Sequence, residues 1–409
     1  MNSIDAFDYD AKTVLLRVDI NSPIDPQTKL ITNENRLQKS LPTIRKLLDR
    51  GAKLAIIAHQ GDTLDYQNLR SMEEHAQKLT SYLGTPVDYI DDVCGPAAQK
   101  KVRSLQPGQA VLLGNLRYLS EEISTFENAV KLEPEEMLDT YLVRSLAPLI
   151  DIYVNDAFAA AHRNAPSMVA FQELKPSAAG DLLFDEVAAL NKVMKAPEHP
   201  SVFILGGAKI SDAFGMMQQV LESGTADKIL SCGITGEIML LAAGFSLGET
   251  KEKFLKDRGL DMFVADAKTY LNNFPGKIAF PSDLAYAVDG ERLEIAIEDL
   301  PAEHMFMDIG ATTIALYEQE ISAAKTLFVN GPPGVYEEAL FEDGTKAIWN
   351  AIAAADGYSV IGGGDTVTAA AKFVDLDNID YVCTAGGAMV RYLSGKKLAL
   401  IVAMDKARQ

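Results

Sequence analysis

Cysteine is scarce: 3 of 409 residues. Cys94, Cys232 and Cys383 form no C-x-x-C pair, so neither a disulfide framework nor a zinc knuckle is expected. They read as small core residues in a reducing compartment. Basic residues are few beside the acids, with 38 Lys and Arg against 57 Asp and Glu, a formal charge of −19. That balance excludes a nucleic-acid partner, which needs a basic face to neutralise phosphates. It also excludes electrostatic docking to anionic lipid. Long apolar runs are missing. The longest lies near Ile238–Phe245, far short of the ~20 residues that span a bilayer. The segment Met1–Asp10 has three Asp and no Lys or Arg, so no signal peptide is expected and a cytoplasmic setting fits. There is no G-x-x-x-x-G-K-[ST] loop and no strand-linked G-x-G-x-x-G, which disfavours a P-loop NTPase or a dinucleotide dehydrogenase.

What remains is a packed globular chain, 48% apolar and 23% charged, long enough for two domains, or three at most. Short apolar runs rich in β-branched residues alternate with longer segments of helical period. Strands are expected at Thr13–Ile20, Lys53–Ala58, Ala110–Leu113 and Asp151–Val154. Helices are expected at Arg36–Arg50, Ser71–Leu83 and Glu135–Leu149. Further strands are expected at Ser201–Leu205, Lys228–Ser231, Lys277–Phe280, Thr326–Val329, Tyr358–Ile361 and Tyr381–Thr384. Helices near Ser211–Leu221, Gly236–Ala243, Gly344–Ala355 and Thr366–Phe373 separate several of them. Alternation over the whole length predicts two α/β, Rossmann-like, doubly wound parallel-sheet domains. The expected division is residues 1–180, a connecting hinge helix 181–195, a second domain 196–392 and a tail 393–409. No short-period repeat or low-complexity segment is present.

In such sheets ligands bind beyond the carboxyl ends of the strands, and there the two halves differ. The second half carries glycine: Gly206-Gly207-Ala208-Lys209, Asn330-Gly331-Pro332-Pro333-Gly334, Gly362-Gly363-Gly364-Asp365-Thr366 and Ala385-Gly386-Gly387. One Gly-Gly pair reads as a tight turn. Four such loops in one half favour a phosphate-rich nucleotide, approached by bare backbone and helix N-termini. Lys209 suits a phosphoryl oxygen, and Asp365 suits a magnesium ion bridging phosphates. The first half carries cations and polar hooks instead: Arg17, Asp19 and Asn21, Arg36, His59, Arg117, His162 and Arg163. Arginine's planar fork suits phosphate and carboxylate, so these residues predict one pocket for a small polyanion. His75, on a helix among polar residues, reads as surface. One half for a nucleotide and one for a polyanion is the design of a hinged kinase that excludes water on closing.

The ordered motifs resemble the phosphoglycerate kinase family, most closely its archaeal branch, over essentially the whole chain. They are Arg17-Val-Asp-Ile-Asn21, Val154–Arg163, Gly206–Asp212, Asn330–Glu337 and Gly362–Thr366. The resemblance implies reversible phosphoryl transfer between 1,3-bisphosphoglycerate with ADP and 3-phosphoglycerate with ATP, using Mg2+, in glycolysis and gluconeogenesis. It implies a phosphoglycerate site at Asp19, Asn21, Arg36, His59, Arg117 and Arg163. It implies transfer groups at Arg36, Lys209, Gly363, Gly364 and Gly386, and a metal ligand at Asp365. The implied nucleotide site comprises Gly206, Gly207, Lys209, Gly233, Asn330, Gly331, Pro332, Glu337, Gly362, Gly363, Gly364, Asp365 and Thr366, with Glu337 on the ribose. The tail is expected to pack on the N-terminal domain. A monomer is expected, with a dimer left open.

Several positions depart from the family pattern. H-x-G-R-P reads His59-Gln60-Gly61-Asp62-Thr63, so an acid stands where an arginine grips phosphate. Either Asp62 points away or Arg70 takes that role. E-N-x-R-F begins with Gly114, a lysine of other branches is Ala213, and the last loop reads Cys383-Thr-Ala-Gly-Gly387. Two alternatives follow: a related kinase that phosphorylates a different small carboxylate, and a nucleotide-binding regulator without catalysis.

Overall fold

The structure, a computed structural model, describes residues 1–61 and 69–407. Asp62 and Thr63 lie outside them. The chain divides into two compact units: Met1–Val187 together with the residues from Lys397 on, and Ala188–Lys396. The boundary falls inside the helix Asp181–Lys195.

In the first unit the strands are β1 (Thr13–Val18), β2 (Lys53–Ile57), β3 (Val87–Tyr89), β4 (Ala110–Leu112), β5 (Ile152–Asp156) and β6 (Ser177–Ala179). They form one sheet in the order β3-β4-β2-β1-β5-β6, every pairing parallel. β1, β2 and β5 are buried almost throughout, as expected of strands covered on both faces. The helix Asn35–Asp49 buries Leu37, Ile44 and Leu47 in the core that includes Leu16, Ile56 and Val154. Gly51, at φ 76, follows its end; a β-carbon there would lie 2.7 Å from Asp10 Oδ1, so glycine meets both the turn and the close approach. From Lys397 on, the chain joins this unit. Leu400 N–H donates to Ala161 O at 3.0 Å, and the N-terminal amine lies 2.7 Å from Asp405.

The second unit has β7 (Ser201–Leu205), β8 (Lys228–Ser231), β9 (Ile278–Ala279), β10 (Asp283–Val288), β11 (Glu291–Ala296), β12 (Asp308–Ile309), β13 (Thr326–Asn330), β14 (Tyr358–Ile361) and β15 (Tyr381–Val382). Six of them form a second parallel sheet, β15-β14-β13-β7-β8-β9. Its core gathers Ile204, Val329, Trp349 and Ile361.

Three expectations need correcting. β10, β11 and β12 form a separate antiparallel sheet, not part of a β-α alternation. Its hairpin turns at Asp289 and Gly290, both at positive φ (50 and 82), the pattern Asp-Gly favours in a two-residue turn. The expected helix Glu135–Leu149 is broken into 3-10 turns around the short helix Tyr141–Leu146. Thr140 is extended there (ψ 155), and Pro148 cannot donate to a continuing helix. His75 is buried at 2% exposure.

That histidine has a measurable consequence. Gln60 donates from Nε2 to Ser22 O and accepts Ser22 N–H at Oε1, both at 2.9 Å. Its amide is thereby oriented, so His75 Nε2, 3.0 Å from that Oε1, carries the imidazole proton. Burial holds the His75 pKa at about 4, below 6.5. The unfolded chain therefore takes up a proton that the fold refuses. The stability contributed is intact above pH 6.5 and lost as pH falls toward 4. Relative to His75→Gln, the wild type should lose about 3 kcal/mol over that window. Denaturant unfolding at pH 7 and pH 4.5 reads this, and parallel pH dependences in the two proteins would contradict it.

Candidate active site

Each parallel sheet reverses its strand order once, between β1 and β5 in the first unit and between β7 and β13 in the second. Crevices at such points, beyond the strand ends, are the standard ligand sites of open α/β sheets. β1 stops at Val18, two residues earlier than expected, which leaves Asp19 and Asn21 beyond the sheet edge. Arg36, near the start of its helix, donates from Nη1 to both Asp19 oxygens, at 3.1 and 3.0 Å. Its Nη2 and Nε make no hydrogen bond among the described residues. Asn21 Oδ1 accepts Gly61 N–H at 3.0 Å, tying the β1 loop to the β2 loop.

His59 follows β2 and is buried. Arg17 Nη2 lies 2.9 Å from its Nδ1. A guanidinium only donates, so Nδ1 is the bare nitrogen and Nε2 carries the proton. Burial, then the charges of Arg17, Arg117, Arg36 and Arg163, hold His59 well below the usual histidine pKa. It is a neutral donor in the electrostatic field of four guanidinium groups, with Arg17 in direct contact. Of the cations expected in this pocket, Arg36, Arg117 and Arg163 act electrostatically on His59 together with Arg17, which is outside the implied site and 2% exposed at the sheet edge.

Two carboxylates in this cluster escaped sequence reasoning. Glu122, 1% exposed, accepts from Ser167 N and Oγ at 2.7 and 2.6 Å; its pKa is raised by burial and opposed by those bonds and by Arg17 and Arg117. Glu127 accepts from Arg163 Nε at 2.6 Å and from Asn164 N at 2.7 Å, orienting Arg163. The Arg163 Nη2 is buried with no partner among the described residues. Both acids lie on short helical turns away from strand ends, so inspection of strand ends passes over them. Arg117 donates to the backbone oxygen of Glu122, and Asn115 Oδ1 accepts from Arg117 N at 3.1 Å.

In the second unit the glycine loops interlock. Gly206 and Gly207 donate to Asn330 O and Pro332 O, each at 2.9 Å. A β-carbon on Gly206 would lie 2.6 Å from Pro332 O. Asn330 Nδ2 donates to Gly362 O at 2.7 Å, and Gly331 N donates to Thr366 Oγ1 at 2.8 Å. Gly363, at φ 100, would place a β-carbon 2.8 Å from Asn330 Nδ2. All of these except Gly362, with Lys209, Gly364, Asp365 and Gly386, line a cavity of about 230 Å³. The helices Ile210–Glu222, Gly364–Phe373 and Gly386–Leu393 begin at this loop cluster, presenting free N–H groups to an anion. Lys209 Nζ stands 3.7 Å from Asp365 Oδ2, both side chains more than 70% exposed.

A second, mostly apolar cavity of about 440 Å³ shares Gly207, Ala208, Pro332 and Asp365 with the first. Gly233 and the exposed Glu337 also line it. The helix after β8 starts at Gly233 rather than the expected Gly236. A phosphate-sized polar end thus runs into an apolar end suited to a base and sugar.

The sequence profile of the phosphoglycerate kinase family matches residues 4–396. The chain belongs to the phosphoglycerate kinase family. It is 40% identical over 406 residues to the phosphoglycerate kinase of Methanothermobacter thermautotrophicus, covering 99% of this chain and 97% of the relative. It is also 40% identical to that of Thermococcus kodakarensis over 408 residues, covering 99% and 97%. The solved phosphoglycerate kinase structure from Pyrococcus horikoshii superposes with a TM-score of 0.86 at 35% identity, covering 100% of this chain and 99% of the other. That from Coxiella burnetii gives 0.84 at 29% identity, covering 99% of each.

Members of the phosphoglycerate kinase family use ATP and ADP as substrates, and among the described residues no group of three or more His, Cys, Asp or Glu forms a metal cage. Mg2+ is usually held by one or two carboxylates together with substrate phosphates. Asp365, one of two carboxylates at the polar cavity with Asp212, fits a cation shared with a nucleotide. Of the departures from the family pattern, Asp62 lies outside the described residues. Arg70 is half-buried, its Nη1 without a partner among them and its backbone oxygen bonded to Asn115 Nδ2 at 3.0 Å. Cys94, Cys232 and Cys383 are buried, as expected. Among the described residues no helix is long and apolar enough to cross a membrane.

Proposed function

We propose that this chain transfers a phosphoryl group reversibly between 1,3-bisphosphoglycerate with ADP and 3-phosphoglycerate with ATP. The observation that carries the reading is the set of four guanidinium groups acting on neutral His59. That is more positive charge than a bare monocarboxylate requires; an acceptor bearing both carboxylate and phosphate matches it. The acceptor carboxylate is itself the nucleophile, so no serine, cysteine or general base is needed. Arg163, oriented by Glu127, Arg117 and the His59 Nε2–H anchor the distal phosphate. Asp19 and Asn21 order the pocket rim, and Asp19 aims Arg36 at the reacting end.

Lys209, the N–H groups at Gly363, Gly364 and Gly386, and Arg36 neutralise the phosphoryl group in flight. Glu337 holds the nucleotide ribose. Asp365 holds Mg2+, which when bound neutralises phosphate charge. The helix Asp181–Lys195, shared by both units, is the hinge, and the tail beyond Leu393 packs on the N-terminal domain. The protein acts as a cytoplasmic monomer.

One assay tests this. The full chain is incubated with Mg-ATP and 3-phosphoglycerate, coupled to glyceraldehyde-phosphate dehydrogenase and NADH. Rapid NADH loss is expected. Absence of turnover, with acyl phosphate trapped by hydroxylamine from another acid, would establish the different-carboxylate kinase. ATP binding without any transfer would establish the regulator.

A further inference from the structure

The antiparallel sheet β10–β12 has no part in the transfer chemistry, yet one of its side chains reaches the turn that carries Glu337. Arg292 lies on β11, its side chain 13% exposed. Its Nη1 donates to Asp308 Oδ2 and to Leu340 O, each at 3.0 Å. Its Nη2 donates to Ile309 O at 2.9 Å and to Glu294 Oε1 at 3.2 Å. Its Nε donates to the same Glu294 oxygen at 3.4 Å. A guanidinium only donates, and all of its N–H groups are spent here inside the protein. Arg292 is therefore a crosslink between β11, β12 and the 3-10 turn Ala339–Phe341, with nothing left for a ligand.

That crosslink closes a ring of contacts around Glu337. Before it, Val335 N–H donates to Met307 O at 2.8 Å, and Lys372 Nζ donates to Tyr336 O at 2.7 Å. After it, Leu340 O is held by Arg292. The Glu337 side chain is exposed and lines the apolar cavity, so the pinned backbone on either side sets where it stands. Asp308 fixes the base of the same loop. Its Oδ2 also accepts Gly344 N–H at 2.8 Å. β-Carbons at Gly334 and Gly344 would lie 2.2 and 2.3 Å from its Oδ1, so the loop approaches it as only glycine can. Burial raises the Asp308 pKa to about 6, with the Gly344 N–H and Arg292 opposing the rise. A buried ion pair is seldom a net source of stability, and Asp308 Oδ1 has no partner among the described residues. What the pair supplies is position.

We propose that Arg292, with Asp308, is a positioning residue for the nucleotide, holding the turn so that the Glu337 carboxylate meets the ribose hydroxyls already ordered. This rests on the ribose role of Glu337 in the proposed function and adds what sets its strength. A loop ordered in advance spares binding the cost of fixing it.

The test compares calorimetric binding of ADP and of 2′,3′-dideoxy-ADP, which lacks both ribose hydroxyls, to the full chain. The wild type should bind ADP about tenfold more tightly. Arg292→Lys keeps a charge beside Asp308 but cannot span Asp308, Ile309 and Leu340 together. It should bind ADP about fivefold more weakly than the wild type does. Its binding of dideoxy-ADP and its KM for 3-phosphoglycerate should not move. In a Glu337→Ala background the same substitution should change ADP binding by less than about twofold. Arg292→Met with Asp308→Asn removes both charges and should repeat the Arg292→Lys result, so a poorly folded lysine variant still leaves a reading. An unchanged ribose preference in these variants, with only a lower denaturant midpoint, would make Arg292 merely structural and overturn the proposal. Equal weakening of both nucleotides, or losses that add to those of Glu337→Ala, overturns it as well. Phosphoryl transfer from Mg-ATP to 3-phosphoglycerate is measured alongside. Transfer without ribose preference in the wild type overturns only the ribose and positioning roles, whereas ribose preference without transfer overturns only the acceptor reading.

Discussion

Replacing Lys209 with alanine is expected to lower kcat about 10³-fold while moving KM for either substrate less than about fivefold. Lys209 is the last residue before the helix Ile210–Glu222 and follows the Gly206-Gly207 turn, so its ammonium projects over the polar cavity. Its pairing partner is Asp365 at 3.7 Å, in solvent. Exposed pairs contribute little to stability, so the variant should unfold at nearly the wild-type denaturant midpoint. Bound ATP is already cradled by helix N-termini and backbone N–H groups, which is why KM should move little. The charge in flight between two anions has fewer partners, and a cation aimed at it acts mainly on the transition state. The chain carries −19 overall, so one lost lysine hardly alters the global field; a large loss of rate would have to be local. Steady-state kinetics with both substrates varied checks this. A kcat within tenfold of the wild type would remove Lys209 from the transfer machinery.

The same contrast between global and local charge shows what the sequence made legible. The parallel strands followed from β-branched runs, and the glycine loops and arginines could be placed because they stand directly after those runs. Short strands such as Val87–Tyr89 and Ser177–Ala179 carry too few residues for a periodic signal. The hairpin has a local signal, Asp289-Gly290 between β10 and β11, which a reading built on β-α alternation passes over. Around the site, residues were legible by type and not by pairing. Arg163 reads as a free cation along the chain, yet Glu127, 36 positions earlier, accepts from it. His75 reads as surface because its neighbours Glu73, Glu74 and Gln77 are polar. Its burial arises from Gln60, a long-range partner fixed by Ser22. Glu237 sits in a run of apolar residues, and only the fold brings Lys251 to it.

Arg36→Ala is expected to lower kcat/KM by roughly 10² to 10³, and Arg36→Lys by nearly as much. The guanidinium spends Nη1 on both oxygens of Asp19, keeping its other nitrogens for substrate. A lysine is a single point charge and cannot hold Asp19 and a reacting anion in one fixed geometry. Loss of activity alone would not separate catalysis from folding, because Asp19 is 6% exposed and without Arg36 that buried carboxylate keeps, among the described residues, only the Asn21 N–H at 3.2 Å. Arg36→Ala should therefore also cost about 1–3 kcal/mol of stability. The double variant Arg36→Ala with Asp19→Asn removes the stranded charge and should regain most of that stability without regaining turnover. Urea midpoints and coupled-assay kinetics on the same preparations distinguish the two effects. If the double variant recovers turnover with its stability, or if Arg36→Lys works at the wild-type rate, Arg36 is a structural partner of Asp19 and the developing charge is met by Lys209 and the glycine N–H groups alone.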